Sequence, residues 1–144
     1  MRQVYDDYPE NSRSAILRAA ILVVYSDGTW HELERAGLED VYRNICVMLD
    51  ADLDEDILLE ELETISTDVP EEILDLDTDE EREEYWQTCL ASIVSRDIQQ
   101  LTVAAAFMLA SSDSEINPSE AQALRRMRKA WDVDLKDALE IWNE

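Results

Sequence analysis

The sequence predicts an all-α fold: a single-domain bundle of about seven helices. Three observations lead there. At 144 residues the chain has the size of one domain, long enough to bury roughly 70% of the surface its unfolded form would expose. Two Gly and three Pro are too few to furnish the turns of a sheet protein. Apolar residues recur at helical spacing along most of the chain.

Residues 1–11 read as an N-terminal segment ahead of a helical domain over 12–144. The stretch SRSAILRAAILVVY (12–25) is apolar almost all round after its first turn, as expected of a central helix enclosed by others. A break follows at Asp27–Gly28. From Glu32 onward Leu33, Leu38, Val41, Tyr42, Ile45 and Leu49 form one stripe, with Arg35, Glu39 and Arg43 opposite, which gives a second helix. Asp54 is placed to cap a third, running to about Ser66 with Ile57, Leu58, Leu62 and Ile65 inward. TDVPEEILDLD then reads as a loop with room for a single turn, broken at Pro70.

Thr78 with Glu81 three residues later forms a capping box. It opens a fourth helix burying Tyr85, Trp86, Cys89, Leu90 and Ile93 and interrupted at Ser95. DIQQLTVAAAFMLA is a fifth helix, rich in small residues and buried like the first. Asn117 as N-cap, Pro118 at the first helical position and Glu120 at the third make the strongest helix start in the chain. That sixth helix runs to about Trp131, and DLKDALEIW supplies a seventh.

Twelve basic residues against 35 acidic ones give a formal charge of −23. Between Asp50 and Glu84 there are 18 acids and one base, Arg82. Such a field repels nucleic-acid phosphate and anionic lipid and attracts cations and basic protein surfaces. Protein partners are therefore expected, nucleic acid is not, and the chain is read as a monomer or weak dimer. Arg125, Arg126, Arg128 and Lys129 crowd the end of the sixth helix, where cations suit the helix dipole and can dock onto the acidic segment. No stretch approaches the roughly 20 apolar residues of a membrane span, so neither insertion nor secretion is expected and a cytoplasmic location is. Cys46 and Cys89 lie in apolar helical patterns without a second Cys or a His at ligand spacing, and read as buried thiols.

The chain also repeats itself. AILVVYSDGTWHELERAGLEDVYRNI aligns with AAAFMLASSDSEINPSEAQALRRMRKAW, 86 residues later. Each copy is a buried helix, a Ser–Asp pair, a large apolar residue (Trp30, Ile116), then a helix with Glu in its first turn (Glu34, Glu120). Two helical hairpins related by a pseudo-two-fold axis are expected.

These residues resemble the TerB-like family, named for the tellurite-resistance protein TerB. Its pattern is a buried helix ending in Ala-Asp-Gly, an acid, an aliphatic residue and a Glu in the next helix, twice in a seven-helix bundle. The resemblance covers roughly residues 12–142. The first copy keeps Asp27, Gly28 and Glu34 but has Thr29 for the acid and His31 at the usual capping position. The second keeps Asp113, Glu115, Ile116 and Glu120 but has Ser114 for the glycine. The resemblance implies a cytosolic, non-enzymatic protein of tellurite and general stress resistance, with acids near these loops binding divalent cations. If the two-fold joins the loops, Asp27, Glu34, Asp113, Glu115 and Glu120 form a hard-oxygen site for Ca²⁺ or Mg²⁺; turn and capping chemistry accounts for the same residues without an ion.

DADLDEDILLEE imitates an EF-hand loop, with Asp50, Asp52, Asp54 and Asp56 at positions one to seven and Glu61 at twelve. Glu55 stands where glycine is required, and Leu53, Ile57, Leu58 and Leu62 already form a helical stripe, so helix is the better reading. His31, the single histidine, has no nucleophile near it in sequence and is read as a surface or capping residue. The four Trp residues are read as core or packing groups, with Trp142 also placed to touch a partner. Two functions remain: a metal-stabilised stress-response accessory, or an acidic adaptor that docks a basic partner through 50–84 without a specific metal.

Overall fold

The computed structural model of the chain describes residues 11–25, 32–49, 54–111 and 118–142, with the side chains of 32–36 excepted. Among these residues there are seven helices and no strand: α1 (Arg13–Val24), α2 (Glu32–Met48), α3 (Glu55–Leu74), α4 (Asp79–Ala91), α5 (Arg96–Ala110), α6 (Pro118–Trp131) and α7 (Leu135–Trp142). The fold is the all-α bundle that composition and periodicity predict. No helix among the described residues is long and apolar enough to cross a membrane.

The core is built on α1 and α5. Every residue of α1 from Ala15 to Val24 is buried, as are Leu101–Ala106, Leu109 and Ala110 of α5. Small side chains let these helices approach closely: Ala19, Ala20, Ala104, Ala105 and Ala106 are all 0% exposed. Asn11, in a left-handed conformation at φ 58° that Asn tolerates better than most residues, ties their beginnings together. Its N–H donates to the Ser92 carbonyl (2.8 Å), and its side-chain oxygen accepts from the backbone N–H groups of Val94 (2.9 Å) and Ser95 (3.0 Å). Both helices thus start at one end of the bundle, pack along each other, and end together at the other. They run parallel.

The remaining helices repeat around this pair. α2 packs on α1 and on α5, while α6 packs on α5 and on α1; α3 packs on α1 as α7 packs on α5. Exchanging α1–α2–α3 with α5–α6–α7 preserves these neighbours, as a pseudo-two-fold arrangement would, while among the described residues α2 also packs on α3 without an equivalent packing of α6 on α7. In each half a third helix, α3 or α7, packs on the central helix of that half. α4, packed on α1, is the connector between halves.

The helix ends follow local chemistry. The Ser12 hydroxyl caps α1 by accepting from the Ala15 N–H at 3.1 Å. The Thr78–Glu81 capping box forms in both directions. α6 closes in a Schellman motif, with the Val133 N–H on the Arg128 carbonyl (2.9 Å) and the Asp132 N–H on that of Lys129 (3.4 Å). Asp132 holds the left-handed position at φ 53°, where glycine is usual.

Two expectations need correction. The segment around Pro70 is helix, since α3 continues through Pro70 to Leu74. An interior proline costs the helix roughly 3 kcal/mol, but Val69, Pro70 and Glu72 are all buried here, and that packing holds the last turns in place. Ile57 faces outward at 45% exposure, because the inward stripe is Leu58, Leu62, Ile65 and Val69. Cys46 and Cys89 are free and buried, as expected.

One feature of the core was not anticipated. Arg18, in the middle of α1, is 1% exposed, and Glu72 of α3 is 5% exposed. Arg18 donates to the Ser92 hydroxyl at 3.2 Å. Burial pushes the Cys89 thiol up to about 11, with Arg18 drawing it down and Glu72 reinforcing the rise. A thiol so placed is an inert core group.

Candidate functional site

The expected loop site lies mostly beyond the described residues. Asp27, Asp113 and Glu115 fall outside them, as do Trp30 and His31, and Glu34 sits on α2 with its side chain outside them. Glu120 is in the first turn of α6 and is 1% exposed. The helices on either side of the breaks can be compared. Because α1 and α5 are parallel, Tyr25 and Ser111, their C-caps, lie at the same end of the bundle. The first turn of α6 comes to that end too, since Ser119 and Ala123 share a cleft with Leu22 and Tyr25 of α1. Among the described residues no group of three or more His, Cys, Asp or Glu side chains is arranged to hold a metal ion.

The EF-hand-like run does not form a loop where it is described. Helix α3 begins at Glu55, the sixth position of the supposed loop, and two acids of the run, Glu55 and Glu61, are engaged by arginines. Glu61 takes a two-pronged bond from Arg13, Nε to Oε1 at 2.9 Å and NH2 to Oε2 at 2.7 Å. The buried Tyr42 hydroxyl donates to the same Oε1 at 2.7 Å. Glu61 thereby joins α1, α2 and α3. The Arg13 hydrogen bonds hold its carboxyl below the usual range, with Tyr42 adding to the effect against a partial desolvation cost. Burial and the bond to Glu61 drive the Tyr42 phenol upward, so it stays a donor at any physiological pH. Sequence patterning offered Glu61 only as a calcium ligand; its real partners lie 48 and 19 residues away.

The acidic segment forms an exposed face. Asp54, Glu55, Asp56, Glu60 and Glu63 are exposed on or just before α3, and Asp75, Asp77, Asp79, Glu80, Glu81, Glu83 and Glu84 continue it through the turn into α4. Ile57, Leu59 and Leu74 are exposed among them, at 45%, 37% and 62%. Three arginines answer parts of this charge. Arg43 of α2 pairs with Glu55 and with Glu39, Arg82 with Asp79 at 2.8 Å, and Arg126 of α6 with Glu83. The last pair bears out in part the expected docking of the α6 cations onto the acidic segment. Bonds from Gln87 and then Arg126 hold the Glu83 carboxyl low.

A cleft of about 480 Å³ opens beside this face, between α4 and α6. Leu22 and Tyr25 of α1 form its floor, Ile73 and Leu76 close the α3 end, and Tyr85 and Trp86 line the α4 wall. Asp79, Arg82, Glu83 and Arg126 stand around it. The Arg126 guanidinium lies 4.5 Å from the centre of the Trp86 ring, a cation–π contact within the usual range. Sequence reading gave Trp86 as core and did not find the cleft, because its walls come from four helices. Comparison with protein-family models, with curated proteins and with solved structures finds no match to this chain.

Proposed function

We propose that the chain is a non-catalytic accessory protein of the TerB-like type that docks a basic protein partner through the acidic face of α3 and α4. The carrying observation is the run of exposed acids on that face from Asp54 to Glu84, a stretch of sequence in which Arg82 is the only base. Opposite potentials raise association rates and favour basic partners over acidic ones. The resemblance suggests a setting, cytosolic stress or tellurite resistance. The test is binding of a fluorescent oligolysine peptide to the full chain, against a variant carrying Glu60→Gln, Glu63→Gln, Glu80→Gln and Glu84→Gln. Binding that weakens with added salt and falls at least fivefold in the variant supports the reading. Equal binding by both proteins, or none by the parent, contradicts it.

A second reading is favoured by the parallel alignment of α1 and α5 and by the buried Glu120 at the end where both stop. Here Asp27, Glu34, Asp113, Glu115 and Glu120 would offer oxygens to Ca²⁺ or Mg²⁺. An ion at 100 times its dissociation constant adds about 2.7 kcal/mol of stability. Melting with and without each ion should show that shift, and Asp27→Asn with Asp113→Asn should abolish it. A shift that survives the double substitution but fades in monovalent salt is diffuse attraction by the acidic face. No shift eliminates the site.

A further inference from the structure

We infer that the cleft between α4 and α6 receives one large apolar side chain, aromatic or leucine-like, from the basic segment that binds the acidic face. The inference rests on that docking reading and adds to it where the partner is anchored and what chemistry the anchor has. Three observations converge. The cleft, at about 480 Å³, is of the size that takes small ligands or side chains, and its floor and end wall are Leu22, Ile73 and Leu76. Its rim belongs to the acidic face: Asp79 and Glu83 stand on it, and Asp75, Asp77 and Glu80 are exposed beside it in sequence. The two arginines on the rim are already paired with its two acids, Arg82 with Asp79 and Arg126 with Glu83, so the net negative charge beside the cleft is that of the neighbouring Asp75, Asp77 and Glu80.

A basic segment suits that charge. Its apolar residue enters the cleft while Lys or Arg residues on either side meet the flanking carboxylates, the pattern of a buried anchor within a charged rim. Arg126 is the internal competitor. It occupies Glu83 and covers Trp86, and an incoming cation replaces it on the carboxylate.

The test uses the full chain and two labelled peptides of Lys and Ala, identical except for a central Phe or Ala. The Phe peptide should bind at least tenfold more tightly. Gln122→Trp, an exposed cleft position that fills the mouth without touching the core, should erase the difference between peptides but leave the weaker binding intact. Arg126→Ala should strengthen both peptides by up to about fivefold, the worth of releasing one exposed ion pair. Equal affinities for the two peptides, or a preference untouched by Gln122→Trp, overturn the cleft while the acidic-face reading stands. Failure of both peptides to bind overturns both.

Discussion

The two halves of the bundle start with the same device and use it differently. Arg13 opens α1 and Arg96 opens α5, each as the first residue of its helix. Arg13 forks onto a carboxylate, Glu61 of α3, which the Tyr42 hydroxyl shares. Arg96 forks onto two backbone carbonyls at the end of α6, Trp131 at 2.6 Å and Asp132 at 2.7 Å. Each arginine thus ties the start of a central helix to the outer helices of its own half. The first tie needs an ionised acid and the second needs only main chain. Two central helices that start side by side are tied down by different chemistry.

The largest break comes from the first half. Glu61→Ala removes the acceptor shared by Arg13 and Tyr42 and should cost about 2–3 kcal/mol in denaturant unfolding, the scale of hydrogen bonds to charged groups next to a buried donor. Arg96→Ala should cost less, about 1–2 kcal/mol, because its carbonyls are exposed enough to turn to water.

A pH series sharpens the contrast. The Glu61 carboxyl is lowered in the folded protein, so its contribution is complete above the unfolded value of about 4.3 and is lost as pH falls through the folded one. The stability gap between the parent and Glu61→Gln should hold constant from neutral pH to about pH 5 and close below it. The gap between the parent and Arg96→Ala should stay flat over that range, since its partners are main-chain carbonyls. Gaps that close together for both variants would remove the distinction between the halves.

The smallest effect is a gain. Asp132 holds a left-handed backbone position, and Asp132→Gly should raise stability by up to about 1 kcal/mol by relieving the Cβ penalty. A loss would show that the Asp132 side chain contributes more than its backbone strain costs.

What the sequence disclosed follows from the range of the interactions concerned. The capping box at Thr78–Glu81 and the buried faces of α1 and α5 are set within a few residues, so composition and period reveal them. Pro70 misled because its local cost is overruled by burial of Val69 and Glu72, which only the packed core determines. The EF-hand spacing around Glu61 is rightly set aside for a helix, but nothing local marks a carboxylate reserved for an arginine 48 residues earlier. The paired breaks were legible as a repeat, and the helices leading into them do end together, although Asp27, Asp113 and Glu115 fall outside the described residues. The cleft had no local signature at all.

The acidic face and its cleft form the central functional claim, and amide NMR of the full chain titrated with the Phe-bearing basic peptide tests it most directly. The claim predicts the largest shifts at Leu22, Ile73 and Leu76 and at the Trp86 indole N–H, with smaller ones along the exposed acids from Asp75 to Glu84. Shifts centred on α7, or spread evenly with the Trp86 indole unmoved, would contradict it.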